Sequence, residues 1–139
     1  MPSSTVETVL DAPRDIVYRL FSERESVNPH LPIQVKLVKQ GDAVTGVGAQ
    51  HLLGFGKLGV TEEITALVPG ERMEYKIVKG APVKRHVGII TFADTAEGGT
   101  RVVYTMESEP SLPVPAKAME FGLRQLTNQL IGGIRKALR

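Results

Sequence analysis

Five polar side chains, His51, Glu62, Tyr75, His86 and Tyr104, fall within segments of alternating apolar and polar residues. In an extended strand every second side chain points to the same face. Counting by twos puts all five on the face that carries Ile33, Val35, Leu37, Ala49, Leu53, Phe55, Val60, Ile64, Met73, Ile77, Ile90, Phe92, Val102 and Met106. A one-residue slip or a bulge would reverse any of these assignments. Brought together, the five could move protons. His51 or a desolvated Glu62 could act as general base beside a carbonyl. Tyr75 and Tyr104 could then donate hydrogen bonds to the developing enolate oxygen. The same residues also have structural readings. The histidines fit strand ends or surface, the tyrosines fit core rings with hydroxyls at polar rims, and Glu62 alternates with Glu63 on a strand wet on one side.

Other chemistries find little support. The chain has no cysteine, which removes disulfides, thiolate metal sites and cysteine nucleophiles. Its three histidines, His30, His51 and His86, lack close helical or hairpin spacing, so no metal is expected. The glycines between Gly41 and Gly59 lack the Gly-Lys-Ser/Thr of a phosphate loop and suit bends in a curved sheet better. No dinucleotide fingerprint opens a helix, so no cofactor is expected. Ser108 and Ser111 lie by a proline-rich link without a nucleophile-elbow sequence.

At 139 residues the chain fits one domain, 1–139, large enough for a core. A net charge of +2 is too small to argue for nucleic acid, and aromatic residues do not interleave with the basic ones. Lys79, Lys84, Arg85 and His86, like Arg135, Lys136 and Arg139, read as solvated faces. No apolar run reaches the length of a membrane span, and the first residues lack the layout of a secretion signal. A cytoplasmic monomer or homodimer is the expectation.

The elements that must position the polar residues follow from periodicity. Alternation predicts a strand over Thr5–Leu10. Asp11 is placed to cap a helix over Pro13–Ser22, where Ile16, Val17, Leu20 and Phe21 recur at helical spacing. A second short helix is expected over Glu23–Val27, stopped by Asn28-Pro29 and Leu31-Pro32. Strands follow over Ile33–Lys39, Gly48–Phe55, Lys57–Val68, Arg72–Lys79, Lys84–Ala93 and Thr100–Glu107, with short connections that imply antiparallel pairing. From Pro115 to Arg139 runs a long amphipathic helix with Met119, Leu123, Leu126, Leu130, Ile134 and Ala137 or Leu138 in one stripe. Gly132 and Gly133 within it point to close packing, bending or a tolerated weak spot. One helix covering most of a curved sheet leaves apolar space between the layers.

Asp11-Ala12-Pro13 with Ile16-Val17 and Leu20-Phe21, Leu31-Pro32, Gly46-Val47-Gly48, Glu63-Ile64 before Pro69, Gly88 with Phe92, and Gly98-Gly99-Thr100-Arg101 with Tyr104 occur in a telling order. That order resembles the START and pollen-allergen (SRPBCC) superfamily, and within it the polyketide cyclase/dehydrase-like group. The resemblance implies an α+β helix-grip fold: a curved seven-stranded antiparallel sheet wrapped around the C-terminal helix, with two short helices after strand 1. It also implies a cavity for a hydrophobic small molecule, a lipid, polyketide or aromatic. On this reading the lining residues are Phe55, Tyr75, Ile77, His86, Phe92, Tyr104, Met106, Met119, Leu123, Leu126 and Leu130. No reaction is implied, because the fold serves carriers, cyclases and regulators alike. A binder leads. A cyclase, aromatase or dehydratase using Glu62 or His51 as base competes with it. An interaction module with a filled interior is a third reading. The enzyme requires at least two of the five polar side chains to meet around one cavity, and cavity volume sets the module apart, since ligand sites run to roughly 300–1,000 Å³.

Overall fold

Period-two burial produces the sheet. Along the strand Thr100–Pro110, residues 100, 102, 104, 106 and 108 are buried while their neighbours are exposed or half-exposed. Such a strand needs one dry face and one wet one. The structure is a computed structural model that describes residues 2–30, 34–41, 46–55 and 58–138. Leu31-Pro32, Ile33 and Arg139 lie outside the described residues, as does the Phe55 side chain.

Seven strands form the sheet: β1 (Ser3–Leu10), β2 (Gln34–Lys39), β3 (Gln50–Phe55), β4 (Leu58–Val68), β5 (Arg72–Lys79), β6 (Val83–Asp94) and β7 (Thr100–Pro110). Their order is β1-β7-β6-β5-β4-β3-β2, and every neighbouring pair is antiparallel. The expected strands are all present, Arg72–Lys79 with the same bounds and the others with one or both ends shifted by at most three residues. Register shifts at Thr61/Glu62 and Ile64/Ala66 mark irregularities in β4. Bulges of this kind bend a sheet.

Because β1 and β2 are the two opposite edges, the chain between them must cross the whole sheet. That crossing consists of α1 (Arg14–Ser22) and a 3-10 helix over Arg24–His30. The cap of α1 differs from the expectation. Pro13, not Asp11, is the N-cap, and no side chain caps it. The Pro13 carbonyl accepts from the Ile16 and Val17 amides at 3.1 Å each. Asp11 instead sits in the preceding bend, which Thr100 secures by donating its hydroxyl to the Ala12 carbonyl at 2.7 Å.

The second helix also differs, because it runs on through Pro29 to His30 as a 3-10 turn. Asn28 explains where it is held. Its side-chain amide donates to the Val35 carbonyl at 2.9 Å and its side-chain oxygen accepts from the Val35 amide at 2.6 Å. One asparagine thus imitates a strand partner and ties the 3-10 helix to β2.

The C-terminal helix α2 (Ala116–Ala137) spans about 33 Å at 1.5 Å per residue. It packs mainly on β1, the 3-10 helix, α1 and β7. Arg124 donates to the Thr5 carbonyl at 3.3 Å and Arg135 to the Thr8 hydroxyl at 2.5 Å, so the helix runs along β1. Its buried line is Leu123, Thr127, Ile131 and Ile134, with Met119, Leu130 and Leu138 packed beside it. Leu126, expected in that line, is 38% exposed. A step of four residues from Leu123 leads to Thr127, and Thr127 can be buried because its hydroxyl donates to the Leu123 carbonyl at 2.8 Å. A Cβ on Gly132 would meet nothing within 4 Å, so close packing does not require that glycine.

Candidate functional site

The five polar residues of the inner face are all buried: His51, Glu62, Tyr75, His86 and Tyr104. Strand register brings them into one band. His51 stands opposite Glu62, Ile64 opposite Tyr75, Tyr75 opposite Gly88, and Ile90 opposite Tyr104. Gly88 is what lets Tyr75 lie down. A Cβ there would fall inside the Tyr75 ring carbons, so only glycine leaves room for the aromatic to cross β6. The Tyr75 hydroxyl then hydrogen-bonds the Tyr104 hydroxyl in the centre of the sheet.

A sixth member comes from outside the sheet. Arg24, the first residue of the 3-10 helix, reaches down and donates Nη2 to Glu62 Oε1 at 2.5 Å, with both side chains more than nine-tenths buried. Its guanidinium carbon sits 4.8 Å from the centroid of the Tyr75 ring, a cation–π arrangement. Arg24 Nη1 has no hydrogen-bond partner among the described residues. Periodicity could not find this residue, since one arginine in a short polar turn looks like any surface cation. Its inward course follows from the crossing of α1 and the 3-10 helix over the sheet and from the Asn28 tie.

Aromatic rings support the band from the α1 side. Tyr18 and Phe21 each meet Phe92 edge-on at 5.5 Å, Phe21 meets Tyr104 at 6.1 Å, and Tyr104 meets Tyr75 at 6.4 Å. Edge-to-face pairs contribute about 0.5–1.5 kcal/mol each beyond burial.

Charge states follow from burial. Desolvation opposes the Arg24 charge, and the Glu62 carboxylate beside it offsets that cost, so Arg24 stays protonated. Burial pushes the Glu62 carboxyl above its ordinary range, with Arg24 pulling the other way. Burial and then the Arg24 charge lower His51 to about 4, so its imidazole is neutral. Neither of its ring nitrogens has a hydrogen-bond partner among the described residues. Burial also lowers His86, and burial raises both tyrosines, Tyr75 most.

A cavity of about 40 Å³ lies between the two layers. Leu20, Phe21 and Arg24 form one wall, Val35, Leu53, Met73, Tyr75, Ile90 and Tyr104 the sheet wall, and Leu130 and Ile134 of α2 the roof. The expectation of a preformed, ligand-sized chamber is therefore not met, and the closed interior, bordered by Tyr75, Tyr104, Phe21 and Met73, matches the filled core of the interaction-module reading on volume alone. The wall is apolar except for three groups, Arg24, Tyr75 and Tyr104, and these converge.

Of the residues expected to line a pocket, Tyr75, Tyr104 and Leu130 border this cavity. Phe92 and Met106 are buried in the core, and Leu123 is buried under α2. Met119 packs against the core from α2, and Ile77 is half-buried opposite Glu62. His86 is buried with its ring 6.5 Å from that of Tyr75. Leu126 faces outward, and Phe55 lies in β3 with its side chain outside the described residues. Glu62 is held by Arg24, whereas His51 is buried beside it without bordering the cavity.

Among the described residues no helix is long and apolar enough to cross a membrane. A family model described as polyketide cyclase/dehydrase and lipid transport matches residues 1–139. No curated protein matches the sequence. Solved structures with the same fold include a START superfamily protein from Mycobacterium smegmatis, 9% identical over 98% of this chain and 96% of that one, with a TM-score of 0.82. A protein from Thermus thermophilus is 24% identical over 99% and 94% of the two chains, with a TM-score of 0.71. Ara h 8.0201 is 14% identical over 98% and 97%, with a TM-score of 0.76. At these identities the likeness concerns the fold, the helix grip.

Proposed function

Because the chain belongs to the polyketide cyclase/dehydrase and lipid transport family, we propose that it binds a hydrophobic small molecule between the sheet and α2, with one oxygen of that molecule at Arg24, Tyr75 and Tyr104. The observation that carries this reading is the convergence of Arg24 with the Tyr75–Tyr104 hydroxyl pair, one of whose protons remains for an acceptor, on one side of an otherwise apolar cavity. Arg24 Nη1 is buried and unpartnered there, and a buried donor gains most from an acceptor. The oxygen is a neutral one, a ketone, ester or phenol. Glu62 already neutralises Arg24 at 2.5 Å, and a carboxylate would add a second negative charge beside it.

Entry requires α2 and the 3-10 helix to move off the sheet, since about 40 Å³ holds no such ligand. The test is thermal unfolding against a panel of medium-chain ketones, flavonoids and aromatic polyketides, run on the native protein and on Leu130→Trp, which fills the roof. Selective binding to the folded state raises Tm, by the equivalent of about 2.7 kcal/mol at a hundredfold excess over Kd. The expected result is a Tm rise with at least one compound that Leu130→Trp abolishes. No rise across the panel refutes the reading.

A second reading, general acid–base chemistry on the same ligand, draws on the Tyr75–Tyr104 hydroxyl pair and on neutral His51. It requires His51 to reach the opened cavity, because Glu62 is committed to Arg24. Chemical conversion of a bound poly-β-ketone, lost in His51→Gln, separates it from plain binding.

A further inference from the structure

The inner face carries a second group of polar side chains at the end of the sheet where β1 and β6 begin and β7 ends. Ser4, His86 and Ser108 are each more than nine-tenths buried. Among the described residues, Ser4 Oγ, Ser108 Oγ and His86 Nε2 have no hydrogen-bond partner. Register makes them neighbours. His86 stands directly opposite Ser108 across β6 and β7, and Ser4 stands opposite Met106, one inner-face step from Ser108. Directly opposed side chains on one face lie about 5 Å apart at Cβ, and diagonal ones are within reach of longer groups.

Three adjacent buried polar atoms without partners on three consecutive strands are a costly arrangement for a core that could hold alanine and leucine there. They are also continuous with the first site. The His86 ring sits 6.5 Å from the Tyr75 ring, which itself covers Gly88, and Met106, a flexible thioether, stands between Tyr104 and Ser108 on the inner face of β7. We propose that Ser4, His86 and Ser108 form a distal subsite for a second neutral oxygen of the ligand, a hydroxyl or ketone, so that the molecule bound is an apolar chain or ring system oxygenated at both ends. This rests on the binding reading given above.

Chemistry and spacing both specify the ligand. Two hydroxyls and a neutral imidazole can donate or accept, which suits a neutral oxygen. From Tyr104 to Ser108 is four residues along β7, roughly 13 Å at about 3.3 Å per residue. The extended chain of an ω-hydroxy derivative of undecan-2-one spans that distance.

The experiment measures calorimetric binding of undecan-2-one and of its ω-hydroxy derivative to the intact protein, to Ser4→Ala/Ser108→Ala and to His86→Leu. Two added net hydrogen bonds predict that the native protein prefers the hydroxy-ketone by about tenfold. In Ser4→Ala/Ser108→Ala, whose changes remove only oxygen atoms, the preference disappears while undecan-2-one binds as before. His86→Leu gives the same loss. Equal affinities in the native protein, or a preference that survives in both variants, overturn the distal subsite and leave the binding function standing. Failure of both compounds to bind overturns both.

Discussion

Removing the charge of Glu62 is the sharpest perturbation of the polar band. Glu62→Gln keeps size and shape but leaves Arg24 buried without a counter-charge. Arg24 retains the Tyr75 ring at 4.8 Å, which cannot replace a carboxylate at 2.5 Å. Breaking one half of a buried pair costs about 3–5 kcal/mol, because the surviving charge stays desolvated. For a chain of 139 residues that corresponds to a fall in Tm of roughly 10–15 °C. Removing both members behaves differently. Arg24→Met with Glu62→Leu puts apolar groups of similar volume under the 3-10 helix, and such replacements range from neutral to about 1–4 kcal/mol stabilising. Urea unfolding at neutral pH, with single and double variants compared as a cycle, measures the difference directly. The expected pattern is two destabilised single variants and a double variant near the native value, with m unchanged. A cost below about 1 kcal/mol for Glu62→Gln, the size found for exposed pairs, would mean that Arg24 is hydrated and that the 3-10 helix does not press it into the sheet.

Two further outcomes concern stability. His51 is neutral in the folded protein down to about pH 4, whereas the unfolded chain protonates it near pH 6.5. Between those values the unfolded state binds the extra proton, so stability should fall as pH drops from about 6.5 to 4, by up to about 3 kcal/mol. The raised Glu62 carboxyl acts with the opposite sign, gaining stability on acidification, and partly offsets the loss. Chemical denaturation across that range should therefore show a slope that His51→Gln flattens, and an unchanged slope would place His51 in contact with solvent. Gly88→Ala forces a methyl group into the Tyr75 ring and should cost about 1–3 kcal/mol. The same substitution in a Tyr75→Leu background should cost less, and equal costs would show that the ring does not cross Gly88.

The sheet and α2 were readable because both obey simple periods. Alternation of two found every strand and put His51, Glu62, Tyr75, His86 and Tyr104 on the correct face, even though β4 carries two register shifts. These shifts come in a pair and leave Glu62 and Ile64 on the dry side. Helical spacing found α2 but favoured Leu126 over Thr127, because hydropathy says nothing of a hydroxyl that satisfies itself on the Leu123 carbonyl. Arg24 was illegible for a different reason. Its role depends on sheet order, since the connection between edge strands β1 and β2 has to pass over the inner face. Cavity volume was illegible too. It depends on the rotamers of Tyr75, Tyr104, Phe21 and Met73, and those follow from packing rather than from pattern.

On the proposed binding function, the small cavity and the unpartnered polar atoms share one explanation. A core that had closed for good would gain by losing its orphan donors and acceptors, because each costs about 1–3 kcal/mol when desolvated alone. This interior keeps Arg24 Nη1, both nitrogens of His51, His86 Nε2 and the hydroxyls of Ser4 and Ser108 in that state. Meanwhile α2 is fastened chiefly to β1, β7 and the first helices, whereas the sheet from β3 to β5 supplies Leu53, Met73 and Tyr75 to the cavity wall. Lifting α2 from that side would bring orphaned groups within reach of a ligand, at the cost of the Arg24–Glu62 pair and the Asn28 tie where the 3-10 helix moves with it. Under the proposed binding function, the penalty carried by the closed form would become part of the driving force for binding, which would reconcile a cavity of about 40 Å³ with a much larger ligand.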